Sequence, residues 1–149
     1  MNGEWSDALA QITTRSLEEL CFMIAGSPGE AHAADPVAAV MRVGFEGPQN
    51  GHVLVRIRGG VLADIATNML GDDAASAEQQ RDALGEVANI ICGHIVPVVG
   101  GTDAVFSLQR PTPVEDVVAF DSVPGVAAKA AVEFDNGRVE VILFVDGLN

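Results

Sequence analysis

The sequence predicts a single α+β domain, a mostly antiparallel sheet with two long helices packed on it, spanning residues 1–149. Three observations carry that expectation. Two stretches, 6–25 and 77–95, repeat apolar side chains at helical spacing, and each is followed by runs of strand character. The strand-like runs sit side by side in the chain, separated by short turn-forming clusters, as in hairpins rather than crossovers. The length of 149 residues allows one domain with a substantial core and leaves too little chain for two.

The elements follow in order. Ser6 or Asp7 can cap the first helix, whose apolar positions Leu9, Ile12, Leu17, Leu20 and Ile24 carry it to about Ala25. Gly26 then stands as the residue past the end and Pro28 forbids continuation. Residues 27–36 are loop by composition. Val37–Glu46 and His52–Arg58 read as strands, and Gly47-Pro48-Gln49-Asn50-Gly51 between them reads as a turn. Gly59-Gly60 opens a short helix, Val61–Leu70, closed by Gly71. After the acidic stretch 72–75, Ser76 and Gln79 have the form of a capping box and start the long helix, Ala77 to Ile95. Pro97 and Gly100-Gly101 end it.

Three further strands are expected at Ala104–Arg110, Val126–Phe134 and Arg138–Val145. Asn136-Gly137 is a strong two-residue hairpin signal, favouring a type I′ turn with φ > 0 at both positions. Pro111, Pro113 and Pro124 confine the intervening segment to a loop or a sheet edge. The last strand, Val141-Ile142-Leu143-Phe144-Val145, is apolar on both faces. Both sides must then be covered. It is either central in the sheet or hidden by a second subunit, so a homodimer is one of two alternatives.

Composition excludes several function classes. A formal charge of −13 with only 8 basic residues argues against nucleic acid, whose phosphates demand clustered Lys and Arg. An anionic membrane surface is disfavoured for the same reason. The first residues show no basic-then-apolar secretory pattern, and unbroken apolar runs such as Val141 to Val145 are far below the ~20 residues of a membrane span. Cys21 and Cys92 sit singly in helical patterns, as buried thiols of a cytoplasmic protein rather than a disulfide or zinc site. His32, His52 and His94 lie far apart in the sequence, so no metal site is expected in this chain.

One stretch carries chemistry that packing does not require. Along 82–95, Leu84, Val87, Ala88, Ile91 and Ile95 fall on one side of a helix, while Asp82, Glu86, Asn89 and Gly93 fall in a stripe opposite. Spacings of three and four make these neighbours on the surface. Gly85 and Gly93 weaken the helix by roughly 1 kcal/mol each relative to alanine, and they keep the face low enough for another backbone to approach. The bland alternative is a solvated face. A weaker pattern aligns Leu17–Gly26 with Leu84–Gly93, suggesting two helix-plus-strands units about a pseudo-twofold axis. Phe22 then occupies the slot of Asn89.

At Asp82, Glu86 and Asn89 the sequence resembles the CheC/CheX/FliY family of bacterial chemotaxis phosphatases, and its CheX branch most. The family signature is Asp or Ser, three residues, Glu, two residues, Asn, on an exposed helix. The Ala-Asn-Ile-Ile-Cys-Gly context, the later Val-Phe-Ser-Leu, a downstream proline (Pro111 or Pro113) and the order of elements are also family-like. His94 departs from the pattern, where relatives commonly carry Asn. The single motif implies one site per chain.

The resemblance implies a CheC/CheX-like fold and a substrate, the aspartyl phosphate of a CheY-like receiver domain. In this expectation Asn89 orients the attacking water and Glu86 pairs with the receiver's lysine. Asp82 contacts the partner or holds Glu86 off by like-charge repulsion, and Gly85 and Gly93 border the contact. The Mg²⁺ comes with the receiver, and this chain binds no cofactor of its own. The alternative is a non-catalytic module that docks a receiver or a flagellar-switch protein.

Overall fold

The computed structural model describes residues 3–27, 29–71, 76–115 and 125–147. Pro28, the acidic stretch 72–75 and Pro124 lie outside the described residues. The elements are α1 (Gly3–Cys21), β1 (Val37–Glu46), β2 (Gly51–Gly59), α2 (Val61–Leu70), α3 (Ala77–Gly100), β3 (Ser107–Leu108), β4 (Thr112–Pro113), β5 (Val126–Phe134) and β6 (Gly137–Val145). The sheet runs β3-β1-β2-β6-β5, with β4 also pairing on β1, and every pairing is antiparallel.

The α+β expectation holds, with the short α2 beside the two long helices. The hairpins β1–β2 and β5–β6 join along β2–β6, so β6 is central and the covered-strand alternative is met within one chain. The long strands β1 and β5, which flank the β2–β6 pair, are each irregular near their start, between Val37 and Ala39 and between Val126 and Ala128. α1 packs beside β5 and α3 beside β1. That layout has the twofold symmetry suggested by the helix echo.

The helices cover one face. Leu9, Leu17, Leu84, Val87, Ile91 and Ile95 are fully buried against Val43, Val53, Val55, Ile57, Val139, Val141 and Leu143. This stacking of one apolar stripe per helix on alternate strand residues is what positions α3. Among the described residues α3 is also the helix long and apolar enough to cross a membrane, a feature that counting unbroken apolar runs overlooks. Over half of that stretch, 56 %, is buried inside the fold, where its apolar side is satisfied.

The opposite sheet face divides in two. One end holds Val40, Leu54, Ile142 and Phe144, all buried, flanked by Val37, Val114 and Val126. The other end is ionic. Cross-strand register puts Arg56 opposite Glu140 and Arg138 opposite Glu133. Glu140 Oε1 accepts from Arg56 Nε at 2.6 Å and Arg58 Nε at 2.8 Å, and Arg138 Nη1 donates to Glu133 Oε2 at 2.7 Å. The segment after α1 is tied on here, since Glu133 Oε1 accepts from the His32 backbone N–H at 3.1 Å and the Asp35 carbonyl accepts from Arg58 Nη1 at 3.0 Å.

Four expectations are corrected. α1 begins at Gly3, so Ser6 and Asp7 lie inside the helix rather than capping it, and it ends at Cys21, four residues before Ala25. Phe22 turns left-handed (φ 54°) and the Met23 N–H reaches back to the Leu17 carbonyl, closing the helix without glycine. A left-handed non-glycine residue costs roughly 1–2 kcal/mol. Burying Met23 returns about 1.5–3 kcal/mol, and the Gly26 N–H then pairs with the Glu133 carbonyl on the edge of β5 at 2.8 Å.

The second correction concerns the β5–β6 hairpin, which turns on Asp135-Asn136 with Phe134 opposite Gly137. Neither Asn136 nor Gly137 has positive φ, so the turn is not type I′. Gly137 is required instead by close approach, because a Cβ there would collide with the Arg58 carbonyl.

Third, α3 continues through Pro97 to Gly100. Proline removes the donor to the Gly93 carbonyl, and Gly93 is exposed, so water can take that place. The fourth is the strand expected at Ala104–Arg110, which shrinks to Ser107–Leu108.

Cys21 and Cys92 are free and fully buried. Burial pushes their thiols up to about 11 and about 12, respectively. At pH 8 neither forms the reactive thiolate. Iodoacetamide should leave the native protein unmodified and alkylate both cysteines in denaturant. Rapid labelling of the native form would show that the core opens.

Candidate functional site

The capping box at the start of α3 is complete: Ser76 Oγ accepts from the Gln79 N–H at 3.1 Å, and Gln79 Oε1 accepts from the Ser76 N–H at 2.8 Å. Such a cap contributes about 1 kcal/mol and pins the first turn. Rotation about the helix axis is set by Leu84, Val87, Ala88, Ile91 and Ile95, all at 0 % exposure. The outward stripe is therefore not free to turn, and Asp82, Glu86, Asn89 and Gly93 are all exposed.

The facing wall comes from the segment beyond α3. Residues 107–114 run along the free edge of β1: Phe45 pairs with Leu108, the Gln109 N–H donates to the Gly44 carbonyl, Arg42 pairs with Thr112, and the Val114 N–H donates to the Val40 carbonyl. Pairing breaks at Arg110 and Pro111, where proline has no N–H to offer. There the chain lies against α3. A Cβ on Gly85 would stand 3.5 Å from Pro111 Cβ, and one on Gly93 would stand 3.9 Å from Leu108 Cδ2.

Between these walls lies a groove of about 650 Å³ lined by Asp82, Glu86, Asn89 and Gly85 from α3, with Arg81, Met41 and residues 108–111 and Pro113 around them. The side chains of Asp82, Glu86 and Asn89 make no hydrogen bond or ion pair to any described residue. Their polar atoms are all open to water or a visitor. The structure brings these three residues together. Gly85 is buried beneath Pro111, so the backbone it admits is the chain's own. Gly93 lies outside the groove lining. His94 lines a separate groove between α1 and α3, with Arg15 and Glu19. Phe22, the slot matching Asn89, lies past the end of α1 and is 79 % exposed.

Sequence reasoning did not single out Arg81 or Arg110. The available signal was arithmetic: with 8 basic residues in a chain of charge −13, each one is conspicuous. Arg81 precedes Gly85 and Asn89 by steps of four on one helix row. Arg110 reaches the groove only through the broken edge strand, which the sequence did not foretell.

Gly93 has room for a methyl group, with only ordinary contact to Leu108 and no left-handed φ. Gly93→Ala should therefore stabilise the fold by about 0.5–1 kcal/mol through helix propensity alone. A thermal melt checks this, and a lowered midpoint would mean that the fold itself needs glycine there.

Comparison with solved structures places the fold. The crystal structure of the chemotaxis protein CheX from Vibrio vulnificus matches with a TM-score of 0.76 at 15 % identity, covering 97 % of each chain. CheX from Desulfovibrio desulfuricans matches with a TM-score of 0.70 at 23 % identity, covering 96 % of this chain and 99 % of that one. A CheX–CheY–BeF3–Mg²⁺ complex from Borrelia burgdorferi matches with a TM-score of 0.65 at 17 % identity, over 95 % of this chain and 97 % of that one. The architecture is that of the CheX and CheC type of chemotaxis protein. Residues 39–116, just over half of the sequence, match the family described as chemotaxis phosphatase CheX. The chain belongs to the CheX family. No curated protein sequence matches it. The matched segment contains every residue that lines the groove, from Met41 to Pro113.

Proposed function

We propose that this chain hydrolyses the aspartyl phosphate of a CheY-like receiver domain, with Asn89 orienting the attacking water and Glu86 pairing with the receiver's lysine. The observation that carries the reading is the unspent carboxylate and carboxamide of Glu86 and Asn89, exposed one helical turn apart in a groove built wholly from the family-matched segment. An acyl phosphate is already activated, so phosphoryl transfer needs mainly positioning and charge stabilisation. A carboxamide both donates and accepts, and can hold a water in line with phosphorus. Glu86, accepting only, suits an ammonium partner. Asp82, one turn earlier, contacts the partner or keeps Glu86 extended by like-charge repulsion.

The Mg²⁺ in this reading arrives with the receiver. Gly93, beyond the groove lining, leaves clearance for the incoming backbone. Gly93→Ala should then weaken receiver binding although it stabilises the fold.

The test is decay of the phosphorylated receiver proteins of the same genome, with and without this chain. Accelerated release of phosphate from at least one of them is expected. Binding of a phosphorylated receiver with no acceleration would replace the phosphatase reading by the docking-module alternative.

A further inference from the structure

Resting on the receiver reading, we propose that Arg81 and Arg110 form a cationic clamp that recognises the acidic rim around the partner's phosphorylated residue. A site that holds Mg²⁺ against a phosphoryl group supplies carboxylates as ligands to that metal. The partner surface is therefore anionic where this chain must approach. A protein of charge −13 would be repelled there unless positive charge is concentrated at the contact.

The distribution of the few basic side chains meets that need. Arg56, Arg58 and Arg138 are spent in ion pairs on the far face of the sheet. Arg81 and Arg110 come from different elements, are both exposed, and both line the groove that holds Glu86 and Asn89. Neither guanidinium group has a hydrogen-bond or ion-pair partner among the described residues. The groove is thus two-signed. Its carboxylates match a lysine and its guanidinium groups match carboxylates, which sets both the register and the choice of partner.

Binding of a receiver loaded with Mg²⁺ and beryllofluoride, a stable phosphoryl mimic, tests the clamp without requiring turnover. The double variant Arg81→Ala with Arg110→Ala should bind about tenfold more weakly than wild type at low salt, and the gap should close as salt rises. Lysine at both positions should restore most of the affinity. Arg15→Ala, which removes one positive charge on α1 outside the groove, should leave the affinity close to wild type, as should each of Arg81→Lys and Arg110→Lys. Turnover at saturating receiver should be close to wild type while KM rises. Equal affinity of wild type and double variant, or a gap indifferent to salt, overturns the clamp and leaves the phosphatase reading intact. Failure of wild type to bind any receiver overturns both.

Discussion

Replacing Asn89 by alanine should lower turnover of phosphorylated receiver by about a hundredfold, equivalent to roughly 2.7 kcal/mol of transition-state stabilisation, with little change in receiver affinity. The magnitude is that of losing one preorganised polar group at a reacting centre. The side chain is exposed, bonded to no described residue and on the outer row of a helix whose inner row is fully buried, so its removal should not disturb the fold. Glu86→Ala should behave differently and weaken both binding and turnover, because its proposed partner is a lysine on the receiver. Single-turnover decay at saturating enzyme separates the two. Asn89→Ala turning over as fast as wild type would sink the catalytic assignment, however well the protein binds.

The largest effect expected on stability is at Glu140. It is 9 % exposed and bridges three guanidinium groups from two strands, Arg56, Arg58 and Arg138, the last at 3.1 Å from Oε2. Glu140→Ala strands charges at a buried site, and removing one partner of such a network costs about 3–5 kcal/mol. In a domain of this size that lowers the melting midpoint by roughly 6–20 °C. Replacing Glu140 and Arg56 together should cost less than the sum of the single changes.

The same residue makes stability depend on acid. Burial pushes its carboxyl up, but hydrogen bonds from Arg56 and Arg58 outweigh burial and hold it below the ordinary value of about 4.5. The stabilisation is therefore present above that value and is lost as pH falls through the lowered one. Urea midpoints between pH 7 and pH 3 should fall for wild type and be flatter for Glu140→Ala. An unchanged acid slope would place the sensitivity elsewhere.

By itself the sequence determined what local physics controls. Val37–Glu46, Val61–Leu70 and Val126–Phe134 have the boundaries that periodicity and turn residues give them, and Ser76 with Gln79 marks the start of α3. The exposed stripe of Asp82, Glu86 and Asn89 followed from helical spacing, because the buried row opposite it is long and uninterrupted.

The tertiary structure decided whatever depends on a distant neighbour. α1 stops at Cys21 because burial of Met23 and the edge of β5 compete for the chain that follows, and neither is visible in the helix pattern. Gly137 is glycine because β2 passes close by, not because the turn needs it. The second wall of the groove, with Arg110 and Pro111, exists because residues 107–114 follow the edge of β1 and break away against Gly85. A helix face is written in spacings of three and four, whereas a groove is written in contacts between segments far apart in the chain.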